Sequence, residues 1–93
     1  MTITNKNGYD LYDLLEAAGF RETYRRFIVA QAAHESGNFS SKVYKENNNP
    51  FGIKYIGQDE AEGEKGGYAY YLTVGLAVKD YNRIFKGYGL VID

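Results

Sequence analysis

A mainly helical α+β fold is predicted for this 93-residue chain by three observations. Apolar residues recur at helical spacing in separate segments, only one region between them is β-prone, and the single proline, Pro50, is the one strong break. A chain this short buries roughly two-thirds of its extended surface when folded, which is enough for one core, so residues 1–93 are expected to form a single domain. With 44% hydrophobic and 25% charged residues the composition is that of a globular protein.

The elements follow in order. Leu11, Leu14, Leu15 and Ala18 keep i, i+3, i+4, i+7 spacing, Asp10 is a candidate cap and Gly19 suits the left-handed position beyond the end, so a helix is expected over residues 11–18. A second helix is expected over residues 22–36, with Tyr24, Phe27, Ile28, Gln31, Ala32 and Glu35 on one broad inward face and Gly37 as its stop. "SSKVYKE", residues 40–46, reads as one short helix with Ser40 as its cap, ended by "NNNP". "FGIKYIG" is β-prone, "GQDEAEGEKGG" reads as a loop or hairpin tip, and a return strand is expected over residues 68–72. Thr73 caps a last helix over 74–86, striped by Leu76, Ala77, Tyr81, Ile84 and Phe85.

Composition excludes several functions. A formal net charge of −1, with only Arg25 and Arg26 as adjacent cations, provides no attraction for nucleic acid or a membrane surface. No cysteine and a single histidine exclude disulfides and thiolate or multi-histidine metal sites, so no metal or other cofactor is expected. Ten tyrosines suit either a sugar-binding groove or the edge of a small core. "MTITNKNGYDLYD" lacks the apolar stretch of a secretory signal and no run of about 18 apolar residues could span a membrane. Action outside the cell would then require delivery by a phage, a secretion system or lysis.

Glu35 raises the chemical question. It lies one turn after Gln31 and two after Ile28, on a face assigned to the interior and in the last turn of a helix. Partial desolvation and the negative end of the helix dipole both disfavour the ionised carboxylate there. A glutamate kept protonated near neutral pH is what a glycosidic bond needs as general acid. The alternative is a solvated side chain, or one paired with Lys42 or Lys54; position alone leaves both open. The neighbouring His34 points about 100° away and reads as structural or exposed.

"AQAAHESGNFSS" followed by "NNNPFGIKY" resembles the signature of the peptidoglycan-hydrolysing glucosaminidases, glycoside hydrolase family 73. Ala30, Gln31, Ala32, Glu35, Ser36 and Gly37 match its first part; Asn48, Asn49, Phe51, Gly52, Ile53 and Lys54 match its second. "YAYYLTVGLAVKDYNRIF" looks like the family's aromatic strand and closing helix. The resemblance implies a lysozyme-like fold, here with a reduced β-lobe, and cleavage of the β-1,4 bond after N-acetylglucosamine in a peptidoglycan glycan strand. It implies Glu35 as the acid, and Gln31, Asn49, Phe51, Gly52, Tyr55, Tyr71 and Tyr88 as groove or substrate-binding residues. Asn38 and Phe39 stand where many members have tryptophan and glycine, and Pro50 where they have leucine or methionine.

The second catalytic group is the open point. An inverting route needs a carboxylate about 6.5–9.5 Å from the acid, a retaining one about 5–5.5 Å. The family places it on the β-lobe, where Asp59, Glu60, Glu62 and Glu64 are candidates and Glu60 is preferred; the substrate's own acetamido group could serve instead. A module that binds glycan without cleaving it, or that is a structural part of a larger phage or secretion assembly, is the competing expectation.

Overall fold

The computed structural model describes residues 6–87, in the order α1 (Lys6–Ala17), α2 (Glu22–Glu35), α3 (Lys42–Asn47), β1 (Gly63–Lys65), β2 (Tyr68–Tyr70) and α4 (Val74–Gly87). The mainly helical α+β architecture with a small β-lobe is as the sequence led one to expect. Among the described residues, no helix is long and apolar enough to cross a membrane.

α1 is present by Lys6, so Asp10 lies inside the helix rather than capping it. Gly8 in its first turns is buried. The far end is closed by two bonds, from Gly19 N to the Glu16 carbonyl and from Phe20 N to the Leu15 carbonyl, with Gly19 at φ 94°. This left-handed cap brings Phe20 back onto Leu15 in the core.

α2 corrects the face assignment. Ile28, Ala32 and Ser36, four residues apart, are buried together with Val29, whereas Phe27 is 61% exposed and Gln31 and Glu35 are also at the surface. The two lines, 28–32–36 and 27–31–35, differ by about 100° around the helix, so a single inward face cannot include both. Glu35 therefore emerges beside the buried stripe rather than within it.

Leu11, Leu15, Phe20, Ile28, Val29, Ala32, Phe39 and Val78 form the main core, and Phe85 meets Phe20 and Tyr24 edge-on at centroid distances of 5.2 and 5.4 Å. A second cluster, Ala69, Tyr71 and Ala77, lies under the β-lobe; Phe51 packs against both clusters and stacks on Tyr81 at 4.4 Å. α4 starts as expected, with Thr73 Oγ1 accepting from Leu76 N at 3.2 Å.

The hairpin differs from expectation. Its first strand is β1 in the glycine-rich stretch, paired Gly63 to Tyr70, Glu64 to Ala69 and Lys65 to Tyr68 around Gly66 and Gly67, both at positive φ as a two-residue hairpin turn requires. "FGIKYIG" contributes a single bridge, Lys54 to Tyr68. Side-chain amides satisfy this segment's backbone in place of a ladder. Asn49 accepts from Ile53 N and donates to the Ile53 carbonyl, while Gln58 accepts from Ile56 N and donates to the Lys54 carbonyl.

Three consecutive asparagines fasten this lobe to α3. Asn47 donates to the carbonyls of Lys65, Tyr68 and Ala69, Asn48 to those of Tyr71 and Leu72, and Asn49 to that of Ala69. Asn48 is itself left-handed at φ 50°, a conformation that asparagine tolerates better than most residues. An isolated two-stranded hairpin is marginal in water, and these bonds supply what a third strand otherwise would.

Candidate active site

Glu35 is the last residue of α2, and the chain beyond it is reversed by a locked turn. The Ser36 hydroxyl donates to the Ala32 carbonyl at 2.6 Å and accepts from Phe39 N at 2.8 Å. Gly37, Asn38 and Phe39 all have positive φ, 58°, 60° and 63°. Two non-glycine residues in that region are strained, and the burial of Phe39 against Tyr44 offsets the strain. The turn delivers Ser41, whose side chain caps α3 by accepting from Tyr44 N; the cap is Ser41, not Ser40.

The result is a cavity of about 220 Å³ walled by Glu35, Ser36, Ser41, Val43, Asn49, Pro50, Gly52, Lys54 and Tyr68. It lies between the end of α2, α3 and the first residue of β2. Gly52 is at φ 65°, and a Cβ built there would lie 3.9 Å from the Tyr68 ring, an ordinary contact, so the backbone angle rather than space calls for glycine. The Lys54 ammonium stands 5.0 Å from the centre of the Tyr68 ring. Among the described residues neither Lys42 nor Lys54 pairs with Glu35, which is exposed and is the carboxylate on this wall. The burial on which the desolvation of Glu35 depended is absent.

The other expected site residues separate. Asn49 and Gly52 are on the wall, although the Asn49 amide is bound to Ile53 and Ala69 and serves to hold the turn. Phe51 anchors that turn from the core side. Gln31 lies one turn before Glu35 and Tyr55 just beyond Lys54; both are exposed and neither is on the wall. Tyr88 lies outside the described residues. Lys54, expected as a motif residue and a possible partner of Glu35, is on the wall, and so is Tyr68, which was not among the expected site residues; alternation along β2 would have been its signal.

Tyr71 is not a groove residue. It is 0% exposed and its hydroxyl donates to Asp80 Oδ2 at 2.5 Å. Asp80, also fully buried, accepts from Gln58 at 3.1 Å and is paired with Arg83. Burial, followed by the bond to Asp80, pushes the Tyr71 hydroxyl well above the usual tyrosine range, and the bond to Asp80 raises Arg83. Glu60 belongs to this region too. It pairs with Arg83 at 3.4 Å, its side chain is 13% exposed, and it lines a separate depression with Ile56, Gly57, Gln58, Asp59 and Arg83.

Glu62 and Glu64 are exposed on or beside β1. Since Glu64 is opposite Ala69, its side chain leaves the hairpin on the face opposite that of Tyr68. Among the described residues, no group of three acids or histidines is placed to hold a metal ion.

A family model matches residues 13–89, that of the glucosaminidase family, described as mannosyl-glycoprotein endo-beta-N-acetylglucosaminidase. Comparison with curated proteins and with solved structures finds no match. The matched segment starts inside α1 and runs through the helix end with Glu35, the asparagine turn, the hairpin and α4. With so much of its length accounted for, including every wall of the cavity, the chain belongs to the glucosaminidase family of glycoside hydrolases.

Proposed function

We propose that this protein hydrolyses the β-1,4 bond between N-acetylglucosamine and N-acetylmuramic acid in the peptidoglycan glycan strand, with Glu35 as general acid. The observation that carries this reading is the position of Glu35, a carboxylate at the end of α2 on the wall of an open cavity beside the asparagine turn. In the first step the C1–O bond breaks while the Glu35 carboxyl gives its proton to the leaving oxygen.

For the second group the geometry favours the substrate. Glu60 is held by Arg83 in another depression, and Glu35 is the carboxylate on its own cavity wall. The acetamido oxygen of the N-acetylglucosamine residue would attack C1 and form an oxazolinium ring. Water then opens the ring at C1 and passes a proton to the Glu35 carboxylate, which restores the acid. The same observation supports a second reading, a glycan-binding module of a larger assembly with little or no turnover.

Digestion of purified peptidoglycan, with mass spectrometry of the reduced products, separates these. Wild type is expected to release fragments ending in reducing N-acetylglucosamine, and Glu35→Gln none. No release across a range of pH favours the binding module; reducing N-acetylmuramic acid ends overturn the bond assignment; activity surviving in Glu35→Gln removes the proposed acid.

A further inference from the structure

The groove that holds Glu35 continues past Val43. That valine lines both the Glu35 cavity and a second one of about 270 Å³, whose other walls are Lys42, Glu46, Asn47, Lys65 and Gly66. Val43, Glu46 and Asn47 share one face of α3 at i, i+3, i+4 spacing. Opposite them Lys65, in the second cavity, is paired across the hairpin with Tyr68, in the first. α3 is one bank and the hairpin the other. Neither cavity alone reaches the roughly 300–1,000 Å³ usual for a ligand site, but the two in series do.

The second cavity differs from the first in charge. It has two cations and one anion on its wall, in a chain whose formal net charge is −1. The Lys65 ammonium is held 3.9 Å from the centre of the Tyr70 ring, an arrangement that orders the side chain and leaves N–H donors on its other side for a ligand. Lys42 is exposed on the facing bank. Asp59 and Glu60, by contrast, line the depression that contains Arg83.

We propose that the cavity between Lys42 and Lys65 is a carboxylate subsite, occupied by the acidic substituent of a sugar adjoining the one held at Glu35. The proposal rests on the glycan-strand reading above and adds the chemistry by which an acidic strand is told from a neutral one. The carboxylate has two sources in such a strand, the lactyl group of the sugar itself or the attached peptide.

The test measures binding by calorimetry in the Glu35→Gln protein, which keeps the groove but is not expected to turn over ligand. Three ligands are compared: a chitin oligosaccharide with no carboxylate, peptide-free glycan strands with free lactyl carboxylates, and strands that retain their peptides. Acidic strands are expected to bind more tightly than the neutral oligosaccharide. Adding Lys42→Gln and Lys65→Gln is expected to reduce that preference by up to about fivefold per lysine, as exposed ion pairs do, and rising salt to erode it. Lys45→Gln, on α3 but off both walls, is the control expected to change nothing.

Whichever acidic ligand loses more in the double variant identifies the source. Equal binding of neutral and acidic strands, binding of none, or equal losses on all three overturns the subsite. Failure of the hydrolase reading is seen separately, as absent product from the protein with Glu35 intact.

Discussion

Glu35 and Asp80 are both carboxylates on helices of the same small fold, and their surroundings are opposite. Asp80 is fully buried and bound by Tyr71, Gln58 and Arg83. Glu35 is exposed on a cavity wall, with no ion-pair partner among the described residues. A buried charge is tolerated only when its lone pairs are satisfied, so the Asp80 network can hold the fold but has nothing left to offer a ligand. Glu35, by contrast, has its carboxylate open to whatever enters the cavity.

Four expectations could break that contrast, beginning with the largest. Glu35→Gln should lower turnover of peptidoglycan by at least about 10²-fold while urea unfolding shifts by no more than about 0.5 kcal/mol; a large loss of stability would make Glu35 structural. Asp80→Ala should do the opposite, with a cost of about 3 kcal/mol in urea unfolding, because the Tyr71 hydroxyl and an Arg83 contact lose their partner. Activity per folded molecule should persist.

The third expectation concerns pH. Because the folded protein raises the Tyr71 value, its contribution to stability is complete below the ordinary tyrosine value of about 10 and is lost as pH rises from there, since the unfolded chain releases the proton first. Denaturation midpoints followed upward from pH 9 should fall, and Tyr71→Phe should flatten the fall. The smallest effect belongs to Glu60→Gln: about 1 kcal/mol of stability at most, from the ion pair with Arg83, and less than about threefold in rate. A rate loss comparable to that of Glu35→Gln would establish Glu60 as the second catalytic carboxylate.

Much of the local chemistry was legible in the sequence, although the caps expected at Asp10 and Ser40 were not, since α1 begins at Lys6 and Ser41 caps α3. Gly19 and Gly37 at helix ends, Thr73 as a cap and the helices around Leu11, Ile28 and Ala77 all follow from short-range rules. What else was not legible depends on contacts remote in sequence. "FGIKYIG" is β-prone, yet Asn49 and Gln58 occupy its backbone groups, so the ladder forms between β1 and β2 instead.

At the site, two linked motifs singled out Glu35, Asn49 and Gly52, which do share a cavity. The resemblance put Tyr71 at the groove, and nothing local to it reveals Asp80, nine residues on, to which its hydroxyl is bound. Phe27 and Ile28 are adjacent letters of equal apolarity, and only the packing of α1 and α4 decides which of them turns inward.

The asparagine clamp also has a kinetic consequence. The hairpin's attachments run through side-chain amides from one short stretch at the end of α3, so the hairpin and α3 should open together as one cooperative unit, and not as separately fraying pieces. Both banks of the groove belong to that unit. The spacing between α3 and the hairpin is thereby set from within the lobe, while Glu35, at the end of α2, stands outside that unit on the facing wall.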